Sequence, residues 1–242
     1  VIPNTNNYDL IVVADGSNSA TRKKLNIASF SFNYDQICFT AKVLLRGVNS
    51  NIAFEIFNNE GPCAVLPLGG DIFQVICSQS LKKSSHNSSL PDSLFLDYLS
   101  TILPYGIEPD TIIDEPQYFP IKFLINYFFH SGKYVFLGET SHTFHPVGGQ
   151  GLNLCWRDVE SLTKLISSPL LTRNKFFIPF LYSISRLIDV LSISIFTDLL
   201  VRYSRSNSSY FFIPRIFVFY ILNKSKIARK FILNVMTNGL FN

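Results

Sequence analysis

The chain has 242 residues, enough for one sizeable domain or two modest ones with a substantial core. Hydrophobic residues make up 47% and charged residues 16%, which excludes a disordered chain; 12 Gly, 12 Pro and 4 Cys exclude collagen-like and disulfide-scaffold classes. The net charge of +4 conceals a split. No Asp or Glu follows Asp198, and residues 199–242 carry seven basic side chains, while the remainder holds 14 basic and 17 acidic residues and is net −3.

No basic segment followed by an apolar run opens the chain, so no secretory signal is read. The four cysteines (Cys38, Cys63, Cys77 and Cys155) are widely spaced, with no CxxC pair. Neither a zinc site nor a disulfide framework is expected, and a reducing, cytoplasmic compartment follows as the default.

In chain order, residues 8–14 form a short buried strand that runs straight into Asp15-Gly16. Residues 35–46, 51–57, 62–68 and 71–78 read as consecutive strands, with a hairpin at Gly69-Gly70. No room remains between them for helices, so the sheet is expected to be antiparallel. A polar, Ser-rich loop over 78–93 leads to a helix near 92–103, capped by Asp92 or Ser93. An irregular or edge strand is expected around 111–120, where Pro116 and Pro120 interrupt pairing, and another strand at 133–138. Residues 150–167 have helical spacing, with Leu152, Trp156, Val159, Leu162, Leu165 and Ile166 near one face. The last third is helical and apolar. Arg186 and Asp189 near the middle of 176–201 argue against a membrane span, and residues 210–222 are too short for one.

Two segments carry chemistry. The first, Asp15-Gly16-Ser17-Asn18-Ser19-Ala20-Thr21-Arg22, follows an apolar strand and read alone is a strand-to-helix turn with Asp or Ser as cap. The second runs from Gly138-Glu139 through His142, His145, Pro146, Gly148, Gly149, Gln150 and Gly151 into a helix at Leu152 and Asn153. Glycines at a helix start allow close backbone approach, and the exposed N–H groups favour an anionic or electron-rich group. His142 and His145 lack a third ligand nearby, so no metal is expected.

Together these residues resemble the FAD-dependent aromatic hydroxylases of the UbiH/VisC type, which act in ubiquinone biosynthesis. Ala14 to Arg22 matches the family's A-D-G-x-x-S-x-x-R motif. Gly138 to His142, His145-Pro146, Gly149-Gln150-Gly151, Asn153-Leu154 and Arg157-Asp158 match its second, more specific motif. Gly61-Pro62 through Leu66-Pro67-Leu68 and Phe119-Pro120-Ile121 resemble two intervening elements. The resemblance implies a mixed α/β fold: a partial Rossmann-like FAD-binding domain, an inserted antiparallel β-sheet substrate domain and C-terminal helices. Residues 1–24 would end the first FAD segment, 25–130 form the sheet, 131–168 return to the FAD domain, and 169–242 form the helices and basic tail.

The implied cofactors are FAD and, as reductant, NAD(P)H. Asp15, Gly16 and Arg22 would lie near the FAD pyrophosphate. Gly138 and Glu139 would hold ribityl or ribose hydroxyls, Glu139 standing where the family has Asp. His145 and Pro146 through Asn153, including Gly148, Gly149, Gln150, Gly151 and Leu152, would line the flavin ring. The family's reaction is hydroxylation of an electron-rich ring, here a prenylated phenol, by a flavin C4a-hydroperoxide formed with O2. No catalytic side chain is assigned. A non-catalytic remnant of such an enzyme and an FAD-dependent prenyl reductase stand as the alternatives.

The family's G-x-G-x-x-G loop is not present, and a family member would carry roughly 150 further N-terminal residues, about one domain. The expectation is the later part of a longer or split hydroxylase, with an N-terminal half as partner. The basic apolar C-terminal segment (205–242) is expected to dock on an inner membrane surface, with a solvated basic face over core helices as the alternative. No nucleic-acid partner is expected.

Overall fold

The computed structural model describes residues 7–82, 91–172, 174–205 and 220–239. They form two compact units: those within 7–32, 122–198 and 220–239 in one, and those within 33–121 and 199–205 in the other. The expected mix of helices with an antiparallel sheet is the observed architecture, and a parallel strand pair accompanies it.

The second unit is built on the long strand β2 (Ser29–Arg46), with β3 (Phe54–Asn58), β4 (Gly61–Gly69) and β5 (Ile72–Ser80) in the antiparallel order β2-β5-β4-β3. Alternation places Phe39, Ala41, Val43 and Leu45 on one face, joined by Cys63 and Val65 and by Phe73, Val75 and Cys77. Helix α1 (Ala20–Lys24) belongs to the first unit; helix α2 (Asp92–Ile102) covers this face with Phe95, Leu99 and Leu103, spaced one turn apart. Each such buried side chain contributes about 1.5–3 kcal/mol. The cap of α2 differs from expectation. Asp92 is already helical, Pro91 precedes it, and no side chain caps the helix. Most of the preceding polar loop lies outside the described residues.

The single strand expected at 111–120 is two strands, β6 (Glu108–Ile112) and β7 (Gln117–Asn126), broken before Pro116. Both lie beside β2, β6 against residues 43–46 of that strand. The cysteine reading also needs correction. Cys63 and Cys77 are directly opposed on β4 and β5 and are joined as a disulfide, because the hairpin brings together residues that are distant in sequence.

In the first unit, β1 (Ile11–Val13) pairs in parallel with β9 (Tyr134–Phe136), which also pairs with the short β8 (His130–Ser131). Val13, Tyr134 and Phe136 form the small core beneath. The chain then makes a tight turn at Gly138–Thr140, a short strand β10 (His142–Thr143) against the end of β7, and a second turn at Val147–Gly149. Helices α3 (Gln150–Ile166), α4 (Pro169–Thr172), α5 (Ile178–Arg205) and α6 (Lys226–Asn238) follow. Among the described residues no helix is long and apolar enough to cross a membrane. The short apolar stretch at 210–219 lies outside them.

The expected helix at 150–167 is present as α3, and burial settles which sides of α3 and α5 turn inward. In α3 the face carrying Leu152, Trp156 and Val159 is exposed, at 66%, 65% and 44%, while Leu154, Arg157, Asp158 and Leu162 point inward. In α5 the charges Arg186 and Asp189 are buried, but in protein, where each has a partner. His130 is half-buried between Phe128 and Phe180, and burial lowers its pKa.

Candidate functional site

The two motifs meet inside the first unit. Strand β1 ends at Val13, and the turn through Asp15-Gly16 delivers Ser19 to the start of α1. Ser19 Oγ accepts from the backbone N–H of Arg22 at 2.9 Å, a standard helix cap. The same hydroxyl donates to Asp15, whose other carboxylate oxygen accepts from Thr21 N at 3.1 Å. Burial pushes the Asp15 carboxyl up, but these bonds outweigh it and bring its pKa down to about 2. Thr140, on the turn opposite, then locks the two motifs together. Its Oγ accepts from Gly16 N at 3.1 Å, and its carbonyl accepts from the buried Arg22 guanidinium at 2.7 Å. The other Arg22 terminal nitrogen donates to Ser17 O at 2.6 Å. Arg22 therefore spends its donors on backbone carbonyls within the motifs.

Beneath the second motif lies a buried ionic network. Asp158 Oδ2 accepts from Gly138 N and meets His142 Nε2, each at 2.8 Å, while Oδ1 accepts from Arg186 Nε at 2.7 Å. Arg186 and Arg157 both reach Asp189, at 2.8 Å and 2.7 Å. None of the five side chains is more than about 7% exposed. Burial favours the neutral acid at Asp158, but His142 and Arg186 outweigh it and hold the carboxyl below its ordinary range. The network ties the Gly138 turn, α3 and α5 into one body. Gly138 adopts φ +58°, and a Cβ there would sit 3.0 Å from Cys155 Sγ, so the turn requires glycine.

The loop above is glycine-rich for a visible reason. Gly148 and Gly149 both have left-handed backbone angles, φ +68° and +61°. Gly149 is the N-cap of α3; among the described residues no side chain makes a cap hydrogen bond there, and the first turn has no acidic residue. Added Cβ atoms at Gly16, Gly149 and Gly151 would meet only open space. The Gln150 side chain is buried, its nitrogen donating to Gly148 O at 2.9 Å and its oxygen lacking a partner among the described residues. His145 is buried, with Nδ1 accepting from Val147 N at 3.3 Å. Pro146 and Leu152 are exposed, Asn153 is half-buried, and Glu139 is exposed on the Gly138 turn. His142 stacks on Phe144 with ring centroids 5.3 Å apart. No cluster of metal-ligating side chains occurs among the described residues.

The structure thus brings Asp15, Gly16, Arg22 and Gly138 to one clasp, and places His145 through Asn153 on the loop and helix that follow it in the same unit. Sequence reasoning missed Thr140, Arg186 and Asp189. The inward charges on an otherwise apolar helix were the one available signal for the last two.

These features combine a turn and a helix start with open glycines, held from behind by the buried network. The chain belongs to the FAD binding domain family, which matches residues 5–174. It is 30% identical over 159 residues to the Synechocystis uncharacterized protein slr1300, covering 66% of this chain and 38% of that one. It is also similar to the mitochondrial ubiquinone biosynthesis monooxygenase COQ6 of Drosophila melanogaster, at 26% identity over 66% of this chain and 40% of the relative. The COQ6 of Homo sapiens is 25% identical over 66% and 41%. The chain spans about two fifths of the length of these curated relatives. Among solved structures, p-nitrophenol 4-monooxygenase PnpA from Pseudomonas putida DLL-E4 shares the fold with a TM-score of 0.74 and 14% identity, over 96% of this chain and 60% of that one. OxyS anhydrotetracycline hydroxylase from Streptomyces rimosus does so with a TM-score of 0.66 and 15% identity, over 94% and 46%.

Proposed function

We propose that this chain is the flavin-facing part of an FAD-dependent monooxygenase that hydroxylates an aromatic ring, a prenylated phenol in ubiquinone or related quinone biosynthesis. The observation that carries the reading is the left-handed Gly148-Gly149 pair opening α3 with no side-chain cap hydrogen bond. Open space at Gly16, Gly149 and Gly151 suits a large planar group and its phosphates. The family match supports FAD as that group, and the COQ6 relatives support the substrate class.

In this reading, the first-turn N–H groups of α3 and the Pro146–Asn153 loop face the flavin ring, with Gln150 Oε1 a ready acceptor and His145 fixing the loop's approach. The α3 N-terminus stabilises negative charge there. Glu139 offers an exposed carboxylate to sugar hydroxyls. Asp15 and Arg22 act as positioning residues, holding Gly16 N and the Thr140 turn in register. The bound cofactor supplies oxygen transfer from O2, with NAD(P)H as electron source. A further polypeptide segment, the N-terminal half, supplies the rest of the cradle; the relatives' greater length supports this.

The test is flavin binding and turnover. The chain, alone or with the matching N-terminal half of a relative, is titrated with FAD and then supplied with a prenylphenol, NAD(P)H and O2. Quenched flavin fluorescence and a hydroxylated product are expected. No flavin binding in either preparation overturns the reading; a product reduced in its prenyl tail overturns the hydroxylase assignment.

A further inference from the structure

Helix α6 has two unlike faces. Ser225 caps it, accepting from Ala228 N at 3.1 Å, and Gly239 ends it with φ +87°. Ala228, Ile232, Val235 and Met236 are partly covered, and Met236 lies beside Gly148. The outward face is different. Ile227 and Phe231, one turn apart, are 83% and 63% exposed, and Leu233 is 65% exposed. Lys226 and Lys230, also one turn apart, run alongside them, with Arg229 nearby and all three exposed. The preceding turn adds exposed Tyr220 and Lys224. No acidic residue follows Asp198 to offset these cations.

We propose that this outward face of α6 docks on an anionic lipid bilayer. An apolar row flanked by a lysine row is the pattern of a helix lying in the headgroup region, its apolar side chains in the acyl boundary and its cations on lipid phosphates. Thirteen residues give a helix about 20 Å long, which suits lying flat and not spanning. Charge decides between occupants. A second copy in a two-fold contact would set Lys226, Arg229 and Lys230 against themselves, whereas an anionic surface meets all three favourably. The inference does not depend on the flavin reading, and its test contains no flavin.

The full chain is sedimented with vesicles of phosphatidylcholine alone and of phosphatidylcholine with phosphatidylglycerol, at low and high salt. Binding is expected only with the anionic lipid and should weaken with salt. The K226Q/K230Q pair is expected to bind about 30-fold more weakly, at roughly one kcal/mol per lysine. I227S/F231S is expected to lose the binding that survives high salt. Circular dichroism confirms that both variants keep the wild-type fold, which surface positions permit. Absence of binding to anionic vesicles, or equal binding by wild type and both variants, overturns the proposal. So does a dimer, seen by sedimentation velocity without lipid, that I227S/F231S disperses: that outcome assigns the face to a second copy.

Discussion

Asp158 and Arg186 form an ion pair at 2.7 Å in which the carboxylate is fully buried and the guanidinium nearly so. Two charges in such a place are tolerable only because each has further partners. Asp158→Asn keeps the shape but removes the charge that Arg186 and His142 face. Unfolding in urea should register a loss of about 3–5 kcal/mol. Asp158→Asn combined with Arg186→Met should cost less than the sum of the two single changes, since the second removes the stranded cation.

Arg22 offers a second test. Its two terminal nitrogens reach the carbonyls of Thr140 and Ser17, a fork that a lysine cannot reproduce. Arg22→Lys should lower stability by about 1–3 kcal/mol and expose the amide of Gly16 to hydrogen exchange. Unchanged protection at Gly16 would show that the clasp holds without it.

Acid should loosen the same turn. The folded Asp15 carboxyl titrates at about 2 against an ordinary value of 3.8. Its contribution to stability is therefore full above the ordinary value and is lost as pH falls from there through about 2. Asp15→Asn should flatten this part of the acid limb in a pH series of thermal melts, while leaving stability above pH 5 independent of pH to the same degree as wild type.

The loop glycines divide by backbone. Gly149 has φ +61°, so Gly149→Ala should cost about 1–2 kcal/mol in folding alone. Gly151 is helical with open space at its Cβ position, so Gly151→Ala should leave stability unchanged or raise it by about 0.5–1 kcal/mol. Gly151→Val, tested by FAD titration, should bind flavin more weakly with little change in melting temperature. Equal affinity would place the flavin elsewhere.

Much of this was legible because glycine and proline punctuate the chain. The Asp15-Gly16 turn, the Gly69-Gly70 hairpin and the glycine loop before α3 all stand where local backbone demands predict them. The Cys63–Cys77 pairing is contained in the hairpin register, since both residues lie seven positions from Gly70, and not in the spacing of the cysteines along the chain. The faces of α3 and α5 were not legible. Helical periodicity groups Leu152 with Trp156 and Val159, but it does not say which side turns inward. The inward choice here follows from Arg157 and Asp158 finding partners 28 to 32 residues later on α5. Such a pairing depends on how the helices pack, which no local pattern contains.

Arg22 and Thr140 are separated by 118 residues, and the intervening stretch includes the whole contiguous part of the sheet unit. During synthesis the Asp15-Gly16 turn therefore emerges long before its clasp. The sheet and α2, with their neighbouring strands and own core, are complete in sequence first. The cradle closes only when α3 and α5 arrive to neutralise one another's charges, so a ribosome pausing between residues 121 and 150 would leave a folded sheet attached to an unformed cradle.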